Sequence, residues 1–402
     1  MTGNNNANLK YTLLFGGGAI RGVAYCGALK VLEELGVQYD TLAGSSVGSV
    51  FAGLMAVGYN ADEIKEIMFE VNYELFKDIQ LAIGPKFALC KGDVFLDWLR
   101  ENIERKFYGD SYKKGMHKAV TFSDLAKNLV IITTDLSNFE CKEFSKFETP
   151  DFEVAKAIRI SSSMPGLMQP VEYNNRLLVD GDLQKSAPMW SLTPNLQPQN
   201  ERIMEFRLEG DFQGNDHNAV EFLNAIYSYA TTTGTKFLKE LYGRRDKYDY
   251  VVLDTGDLNI VDFNVSKERR QSLIDNGYSQ TKEYFEKTLK EKKECLLKIY
   301  TDIYKSIEQC SQCLEKSEVL QIKTHLGELY CELCENIELI NDDDKKAIND
   351  FKNLYLENLQ YPALFGKAKL KYTNIVSASL ENLKRQLSDR ILDYREYINI
   401  TF

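Results

Sequence analysis

The sequence predicts an α/β fold with a mainly parallel sheet, followed by an all-α C-terminal region. Short β-rich runs alternate with segments of helical period through about the first 265 residues, and this alternation is typical of a parallel sheet covered by helices. Two of these runs end in glycine-rich turns. Beyond that point the strand signal stops, and apolar residues recur at helical spacing.

The first elements form a β-loop-α-β-turn-α unit. Residues 11–15 are a β-rich run ending in glycines, and residues 23–35 carry apolar side chains at helical spacing before Gly36. Residues 40–43 predict a second strand and residues 47–57 a second helix. Because strands in such units run parallel, the turns that follow them should emerge at one edge of the sheet.

The remaining elements follow the same change of period. Further strands are predicted at residues 129–135, 177–180, 202–208 and 250–254, and helices at 266–289, 292–339, up to about 361, and 370–397. The run LVIITTD at 129–135 is apolar enough to be buried on both faces. We therefore predict a disordered tail at residues 1–9, an α/β domain at 10–290 and a helical region at 291–402.

Composition excludes several classes of protein. The net charge of −10 argues against a protein that wraps nucleic acid, since phosphate contacts need a basic surface. The sequence has no apolar run long enough to span a membrane and no signal peptide, so we expect a cytoplasmic location. Its 8 cysteines are too dilute for a secreted disulfide scaffold, so reduced thiols are expected.

The stretch Gly44-Ser45-Ser46-Val47-Gly48 has the form G-x-S-x-G between a strand and a helix. In such a turn the serine is strained and exposed at a helix N-terminus, while Gly44 and Gly48 avoid collisions with neighbouring backbone. Ser46 is therefore the candidate nucleophile. A helix start with Ser46 as a simple cap is the alternative interpretation of the same residues.

A first glycine loop precedes this turn by one strand and one helix. Gly16, Gly17 and Gly18, followed by Arg21 and Gly22, would bring backbone N–H groups close to Ser46 and suit an oxyanion hole. A dinucleotide fingerprint fits poorly because Arg21 and Ser46 take the prominent places. A phosphate-binding P-loop fits poorly because no Gly-Lys-Ser/Thr ending follows Gly22.

A hydrolytic serine needs a proton acceptor. The three histidines, His117, His217 and His325, have no neighbours that indicate catalysis. Asp180 ends a strand at Gly181, where its side chain could reach the nucleophile. The alternative is an Asx-turn in which Asp180 bonds its own backbone.

The ordered motifs GGGAIRG, GSSVG, AIRISSSMPGLMQPV (157–171) and LLVDGD resemble the patatin-like phospholipase family over about residues 10–290. The resemblance implies a three-layer α/β/α core and a Ser–Asp lipid acyl hydrolase that needs no histidine, metal or cofactor. Ser46 corresponds to the nucleophile and Asp180 to the base. Gly16, Gly17 and Gly18 with Arg21 correspond to the oxyanion loop.

Two departures from the family pattern concern this site. The loop usually reads Gly-Gly-Gly-x-Lys/Arg-Gly, whereas Ala19 and Ile20 both precede Arg21 here. Either the loop is one residue longer or Ala19 replaces the third glycine, so the donors are uncertain by one position. Asp182 stands where the family has a small residue, and its negative charge would make Asp180 a stronger base.

The helical region carries two C-x-x-C pairs, Cys310 with Cys313 and Cys331 with Cys334. Their spacing matches a four-thiolate zinc site, but both pairs lie in helical pattern, which favours simple helix packing and no bound metal. By analogy with patatin-like proteins that carry added domains, this region is a candidate site for an activating ligand or protein.

The functional hypothesis is a cytoplasmic phospholipase A or lysophospholipase that meets the membrane transiently to reach its substrate. One alternative is an acyltransferase that passes the acyl group of Ser46 to an acceptor other than water. Another is a catalytically silent protein that binds an anion or a partner. Retention of both Ser46 and Asp180 speaks against the silent alternative.

Overall fold

The computed structural model describes residues 10–82, 88–184, 189–196, 202–210, 225, 229, 238–258, 264–316, 319–359 and 367–399. The predicted tail at residues 1–9 lies outside them. The strands are β1 (Lys10–Phe15), β2 (Gln38–Ser45), β3 (Ile79–Ala82), β4 (Ala88–Cys90), β5 (Asn128–Asp135), β6 (Glu140–Ser145), β7 (Gly166–Met168), β8 (Val171–Tyr173), β9 (Arg176–Asp180), β10 (Arg202–Glu209) and β11 (Tyr248–Asp254).

A mixed sheet forms the centre of the α/β unit. Its strand order is β11-β10-β1-β2-β5-β9-β8, with β6 paired to β5. The ladders from β11 to β5 are parallel, whereas β6, β8 and β9 pair antiparallel with their neighbours. Helices lie on both sides of this sheet, which confirms the predicted fold class. The strands β3, β4 and β7 form a second, small sheet.

The helices are α1 (Ala24–Glu34), α2 (Val47–Ala56), α3 (Ala61–Glu70), α4 (Asp93–Tyr108), α5 (Val154–Ser161), α6 (Lys267–Glu283), α7 (Leu289–Lys316), α8 (Val319–Asn336), α9 (Asp342–Leu359) and α10 (Lys367–Ile398). The single helix expected at 292–339 is wrong, because α7 and α8 are separate helices there. Sequence analysis did not identify α3, α4, α5, β3, β4, β6, β7 or β8. Several of these are only three residues long and carry little periodic signal.

Helix α2 is apolar on all sides and is surrounded by other elements of the α/β unit. Every residue from Gly48 to Ala56 is buried, and the helix packs on β1, β2, β5 and α5. A helix that is apolar all round is stable only in such a place. The turn before it, which carries Ser46, is therefore fixed by the core.

The chain divides into two compact units. One comprises Asn8–Gly243 and Tyr248–Tyr284, and the other includes Arg244–Lys247 and Phe285–Phe402. The predicted domain boundary at 290/291 falls within α7, near its start, and stays a prediction. The short segment Arg244–Lys247 was not expected in the helical unit.

The helical unit has its own apolar core. Leu296, Tyr300, Ile303, Ile307 and Cys310 of α7 recur at helical spacing and are buried against α8, α9 and α10. A buried polar group accompanies this core: Asp246 accepts hydrogen bonds from Lys293 Nζ and Asn341 Nδ2, each at 2.7 Å. These charge-assisted bonds satisfy a carboxylate that would be costly to bury alone.

Candidate active site

Ser46 lies in a strained turn between β2 and α2. Its φ of 50° and ψ of −130° belong to a region that side chains rarely adopt. The flanking glycines are required by close backbone contacts. A Cβ on Gly44 would lie 2.4 Å from Gly48 O, and a Cβ on Gly48 would lie 2.0 Å from Phe15 O. The G-x-S-x-G pattern thus has the steric cause that sequence analysis expected.

Strand β5 brings Ser46 and Asp180 together. One edge of β5 pairs with β6, and the other edge is shared by β2 and β9. Ser45 at the end of β2 lies opposite Ile132, and Asp180 at the end of β9 lies opposite Thr133. Because these two β5 residues are consecutive, the residue after Ser45 meets the side chain of Asp180.

The two side chains form a direct hydrogen bond. Ser46 Oγ donates to Asp180 Oδ2 at 2.8 Å, and both residues are buried. The side chain of Ser46 makes no capping bond to α2, which removes the interpretation of Ser46 as a simple cap. A serine hydroxyl bonded to a carboxylate at a helix N-terminus has the geometry of an activated nucleophile.

Asp180 also forms the Asx-turn that sequence analysis raised as an alternative. Its Oδ1 accepts the backbone N–H of Asp182 at 2.8 Å, while Oδ2 faces Ser46. The backbone around Asp180 is closely packed, since a Cβ on Gly181 would lie 2.1 Å from Ile132 O. The turn therefore fixes the carboxylate without competing with its contact to Ser46.

Asp182 connects the glycine loop with the nucleophile turn. Its Oδ1 accepts the N–H of Gly17 at 2.8 Å and the hydroxyl of Ser45 at 2.9 Å. A Cβ on Gly17 would collide with both Asp182 and Ser46, at 2.6 and 2.7 Å. Sequence analysis considered only the charge of Asp182. Its hydrogen bonds show that it also holds two turns of the site in place.

The glycine loop offers different N–H groups from those predicted. Gly16 N–H donates to Phe206 O at 2.9 Å and Gly17 N–H donates to Asp182, so these two are already used. Gly18 N–H and Ala19 N–H make no hydrogen bond to any residue that the structure describes, and both residues line the cavity at Ser46. Of the three glycines predicted as donors, Gly16 and Gly17 thus have N–H groups engaged elsewhere, whereas within the described residues Gly18 does not.

The backbone of Ala19 is compatible with the alignment in which it replaces the third glycine. Its φ is 50°, in the left-handed region that favours glycine. Gly18 also has a positive φ, of 155°, so both alignments stay predictions. Arg21 lies in the buried turn that follows, with its Nε 3.3 Å from Gly18 O. Gly22 is required because a Cβ there would lie 2.5 Å from Val47 Cγ2.

Sequence analysis missed three residues that support the site. Ser161 Oγ accepts the N–H of Ser46 at 2.9 Å and donates to Ile132 O at 2.6 Å. Ser163 O accepts the N–H of Asp180 at 3.0 Å. Both serines belong to the motif AIRISSSMPG, which was the available signal. Tyr25 OH donates to Gly16 O at 2.8 Å. Burial, with the nearby Asp182, raises the pKa of Tyr25 well above its ordinary value, so this donor keeps its proton.

An apolar cavity of about 110 Å³ opens beside Ser46 and Asp180. Its apolar wall comes from α2, α3, α4, the small sheet and the segments between them: Val50, Met68, Tyr73, Phe76, Phe95, Trp98, Met164 and Met168. The rings of Phe76, Phe95 and Trp98 contact one another, with centroids 5.0 to 6.0 Å apart. A cavity with this lining is suited to a hydrocarbon chain rather than to a polar ligand.

Histidines and cysteines take no part in the described site. His117 stacks on Tyr108 and His325 pairs with Glu328, whereas His217 lies outside the described residues. The alternative metal site that sequence analysis considered is a four-thiolate zinc site. In the described ranges, which include Cys310, Cys313, Cys331 and Cys334, no group of three His, Cys, Asp or Glu side chains could hold a metal ion. Across the same ranges, no helix is long and apolar enough to cross a membrane.

Comparison with known proteins identifies relatives of this chain. A patatin-like phospholipase family model matches residues 13–192. An uncharacterized protein of Acanthamoeba polyphaga mimivirus is 28% identical over 285 residues, or 67% of this chain and 92% of that protein. A probable lipid hydrolase of invertebrate iridescent virus 6 is 28% identical over 187 residues, or 44% of this chain and 61% of that protein. The crystal structure of VipD from Legionella pneumophila aligns with 98% of this chain and 92% of its own, at 14% identity and a TM-score of 0.49.

The family match and the lipid hydrolase relative define the class of this protein, which is a hydrolase. The family match covers residues 13–192 and applies to that part of the chain. The resemblance inferred from the four motifs is thereby confirmed. A family match by itself assigns no role to an individual residue, so the roles of Ser46 and Asp180 rest on their geometry.

Proposed function

We propose that this protein is a serine lipid acyl hydrolase of the phospholipase A or lysophospholipase type, which cleaves ester bonds of membrane phospholipids and releases fatty acid. The proposal rests on the 2.8 Å hydrogen bond from Ser46 Oγ to Asp180 Oδ2 beside an apolar cavity. Such a cavity removes an acyl chain from water and leaves its ester carbonyl near the hydroxyl.

In the acylation step Ser46 Oγ attacks the ester carbonyl while Asp180 Oδ2 accepts the hydroxyl proton. The tetrahedral intermediate then collapses, and its bond to the alcohol oxygen breaks. Asp180 returns the proton to that oxygen, so the alcohol leaves neutral and the acyl group stays on Ser46. No histidine is needed, because the carboxylate contacts the nucleophile directly.

The negative charge that develops on the carbonyl oxygen needs preorganised donors. We assign this role to the N–H groups of Gly18 and Ala19, which line the cavity beside Ser46. The positive φ of Ala19 sets the direction of this part of the loop. Ser46 occupies the N-cap position of α2 without a side-chain capping bond, so the helix N-terminus adds favourable partial charge.

In the deacylation step water takes the place of the Ser46 hydroxyl as the nucleophile. Water gives a proton to Asp180 and attacks the acyl carbon, the bond to Ser46 Oγ breaks, and the proton returns to that oxygen. Fatty acid is released and the enzyme is restored. An acceptor alcohol in place of water would give the acyltransferase alternative by the same steps.

The test is covalent labelling of the full chain with a fluorophosphonate probe, together with fatty-acid release from phosphatidylcholine vesicles containing lysophosphatidylcholine. We expect Ser46→Ala to lose both signals. We expect Asp180→Asn to lose release by about 1,000-fold, since proton transfer is worth about 100- to 10,000-fold. Ser272→Ala, which changes an exposed serine of α6, is the matched control and should behave as wild type.

Other outcomes identify other functions. A wild-type protein that is never labelled, even with membranes and cell extract added, contradicts the hydrolase and leaves the silent binding protein. Labelling that requires extract would support activation by a ligand or protein at the C-terminal helices. Release that depends on an added alcohol acceptor would favour the acyltransferase.

A further inference from the structure

Three large apolar side chains face solvent next to residues that line the cavity. Leu75 is 63% exposed, Ile79 76% and Val94 41%. Leu75 precedes Phe76 and Val94 precedes Phe95, and both phenylalanines line the cavity at Ser46. Ile79 follows in β3, which pairs with β4 of the small sheet. We call Leu75, Ile79 and Val94 the rim patch.

Hydrogen bonds hold the rim patch in a fixed position. The carboxylate of Asp78 accepts the N–H groups of Gly92 and Asp93 at 2.7 Å and of Val94 at 3.2 Å. These contacts join the segment before β3 to the start of α4. These bonds therefore bring together the two segments that carry the rim patch.

Further contacts tie the same surface to the cavity wall. Arg159 Nε donates to Gly92 O at 3.0 Å, and β4 pairs with β7, whose Met168 lines the cavity. Burial lowers the pKa of Arg159 to about 10, which still leaves this donor charged at neutral pH. The exposed side chains and the cavity thus belong to one connected part of the α/β unit.

The charges beside the rim patch are balanced. Lys77 pairs with Glu74 at 2.8 Å and Lys91 pairs with Asp93 at 2.9 Å. The whole chain carries a net charge of −10, which opposes approach to an anionic surface. An apolar surface with balanced charges binds apolar material rather than anionic groups.

We infer that the rim patch inserts into a zwitterionic phospholipid bilayer and docks the protein with its cavity facing the acyl chains. This inference rests on the proposed function and specifies how the enzyme reaches its substrate. Removing the three side chains from water favours insertion, since burial of apolar surface is worth about 25 cal/mol per Å². An acyl chain then passes from the bilayer to the cavity wall without crossing water.

The test measures binding to phosphatidylcholine vesicles in the Ser46→Ala background, so that hydrolysis does not change the membrane. We expect the double variant Leu75→Ser, Ile79→Ser to lower the vesicle partition coefficient by about tenfold or more. The control is Phe139→Ser, Phe147→Ser, which removes two apolar side chains that are 88% and 59% exposed elsewhere on the same unit. It should bind as well as the parent.

The inference is overturned if the rim variant binds as tightly as the parent, or if the control loses binding equally. It is also overturned if binding needs anionic lipid and disappears at high salt, because that result would show electrostatic docking. Turnover of a soluble short-chain ester by the otherwise wild-type enzyme should be unchanged by the rim substitutions. If the wild-type enzyme does not hydrolyse the soluble ester, the proposed function is contradicted. The vesicle-binding comparison still tests membrane docking independently of that result.

Discussion

Asp182 is the residue on which the arrangement of the site depends most. Its carboxylate holds Gly17 and Ser45, and its backbone N–H holds Asp180. Asp182 therefore contacts the glycine loop, the nucleophile turn and the base. Its Oδ1 accepts hydrogen bonds from Gly17 and Ser45, and neither bond involves the contact between Ser46 and Asp180. We therefore interpret Asp182 as a positioning residue rather than as a second base.

We expect Asp182→Ala to lower kcat/KM by about 100-fold, mainly through kcat, because the donors of Gly18 and Ala19 lose their support. It should also lower the free energy of unfolding by about 1–3 kcal/mol, since two buried donors lose their acceptor. The measurements are steady-state kinetics on a soluble ester and urea unfolding.

Asp182→Asn is the control for this prediction. An asparagine oxygen can still accept from Gly17 and Ser45, so most of the activity should return. An asparagine variant as inactive as the alanine variant would show that the charge of Asp182 matters more than its hydrogen bonds. That result would restore the sequence-based view that Asp182 acts by making Asp180 a stronger base.

At the scale of elements, α1 and α6 cross at a contact that only glycine permits. A Cβ on Gly27 would lie 2.0 Å from Ile274 O, and a Cβ on Gly277 would lie 2.0 Å from Ala24 O. Both helices therefore approach with backbone against backbone. Helix α1 begins just after the glycine loop, so this contact also supports the loop from behind.

Gly277→Ala should force the two helices apart and lower the free energy of unfolding by about 2–3 kcal/mol. Gly327→Ala is the matched control, because this helical glycine of α8 has only Tyr355 OH near its Cβ position, at 3.2 Å. Its change should be within about 1 kcal/mol, since alanine favours the helix. Urea unfolding of both variants gives the comparison. Equal stability of the two variants would contradict the close contact.

The sequence predicts the turns of the site better than it predicts the walls of the cavity. Local patterns predict the strand, glycine loop and nucleophile turn, because each requires particular residues within a few positions. The meeting of Ser46 with Asp180 depends on β2 and β9 sharing one edge of β5, which no local pattern encodes. For this pair the resemblance to a family supplied what local sequence did not.

The cavity wall shows the same limit more strongly. Phe76 comes from a short helical turn, and Phe95 and Trp98 come from α4, a helix that sequence analysis did not identify. Their aromatic side chains are equally typical of an ordinary core. Only their position around Ser46 distinguishes them from core residues, and position is a property of the whole molecule.

At the scale of the whole molecule, buried thiols should make both units sensitive to alkaline pH. Burial raises the pKa of Cys26 in the α/β unit and of Cys310 in the helical unit, each from 9.0 to about 12. The folded protein therefore keeps protons that the unfolded chain releases above pH 9. The stability from these thiols is fully present below pH 9 and is lost as pH rises from there towards 12.

Urea unfolding at a series of pH values should show the free energy of unfolding falling as pH rises above about 9, by up to about 1.4 kcal/mol per pH unit for each thiol. Cys26→Ala should reduce this slope for the α/β unit, and Cys310→Ala should reduce it for the helical unit. Cys295→Ala changes an exposed thiol and should leave both slopes as they are. Because tyrosines also titrate at higher pH, the comparison belongs near pH 9 to 10. Unchanged slopes in both buried-thiol variants would mean that these thiols ionise as readily in the folded protein as in the unfolded chain.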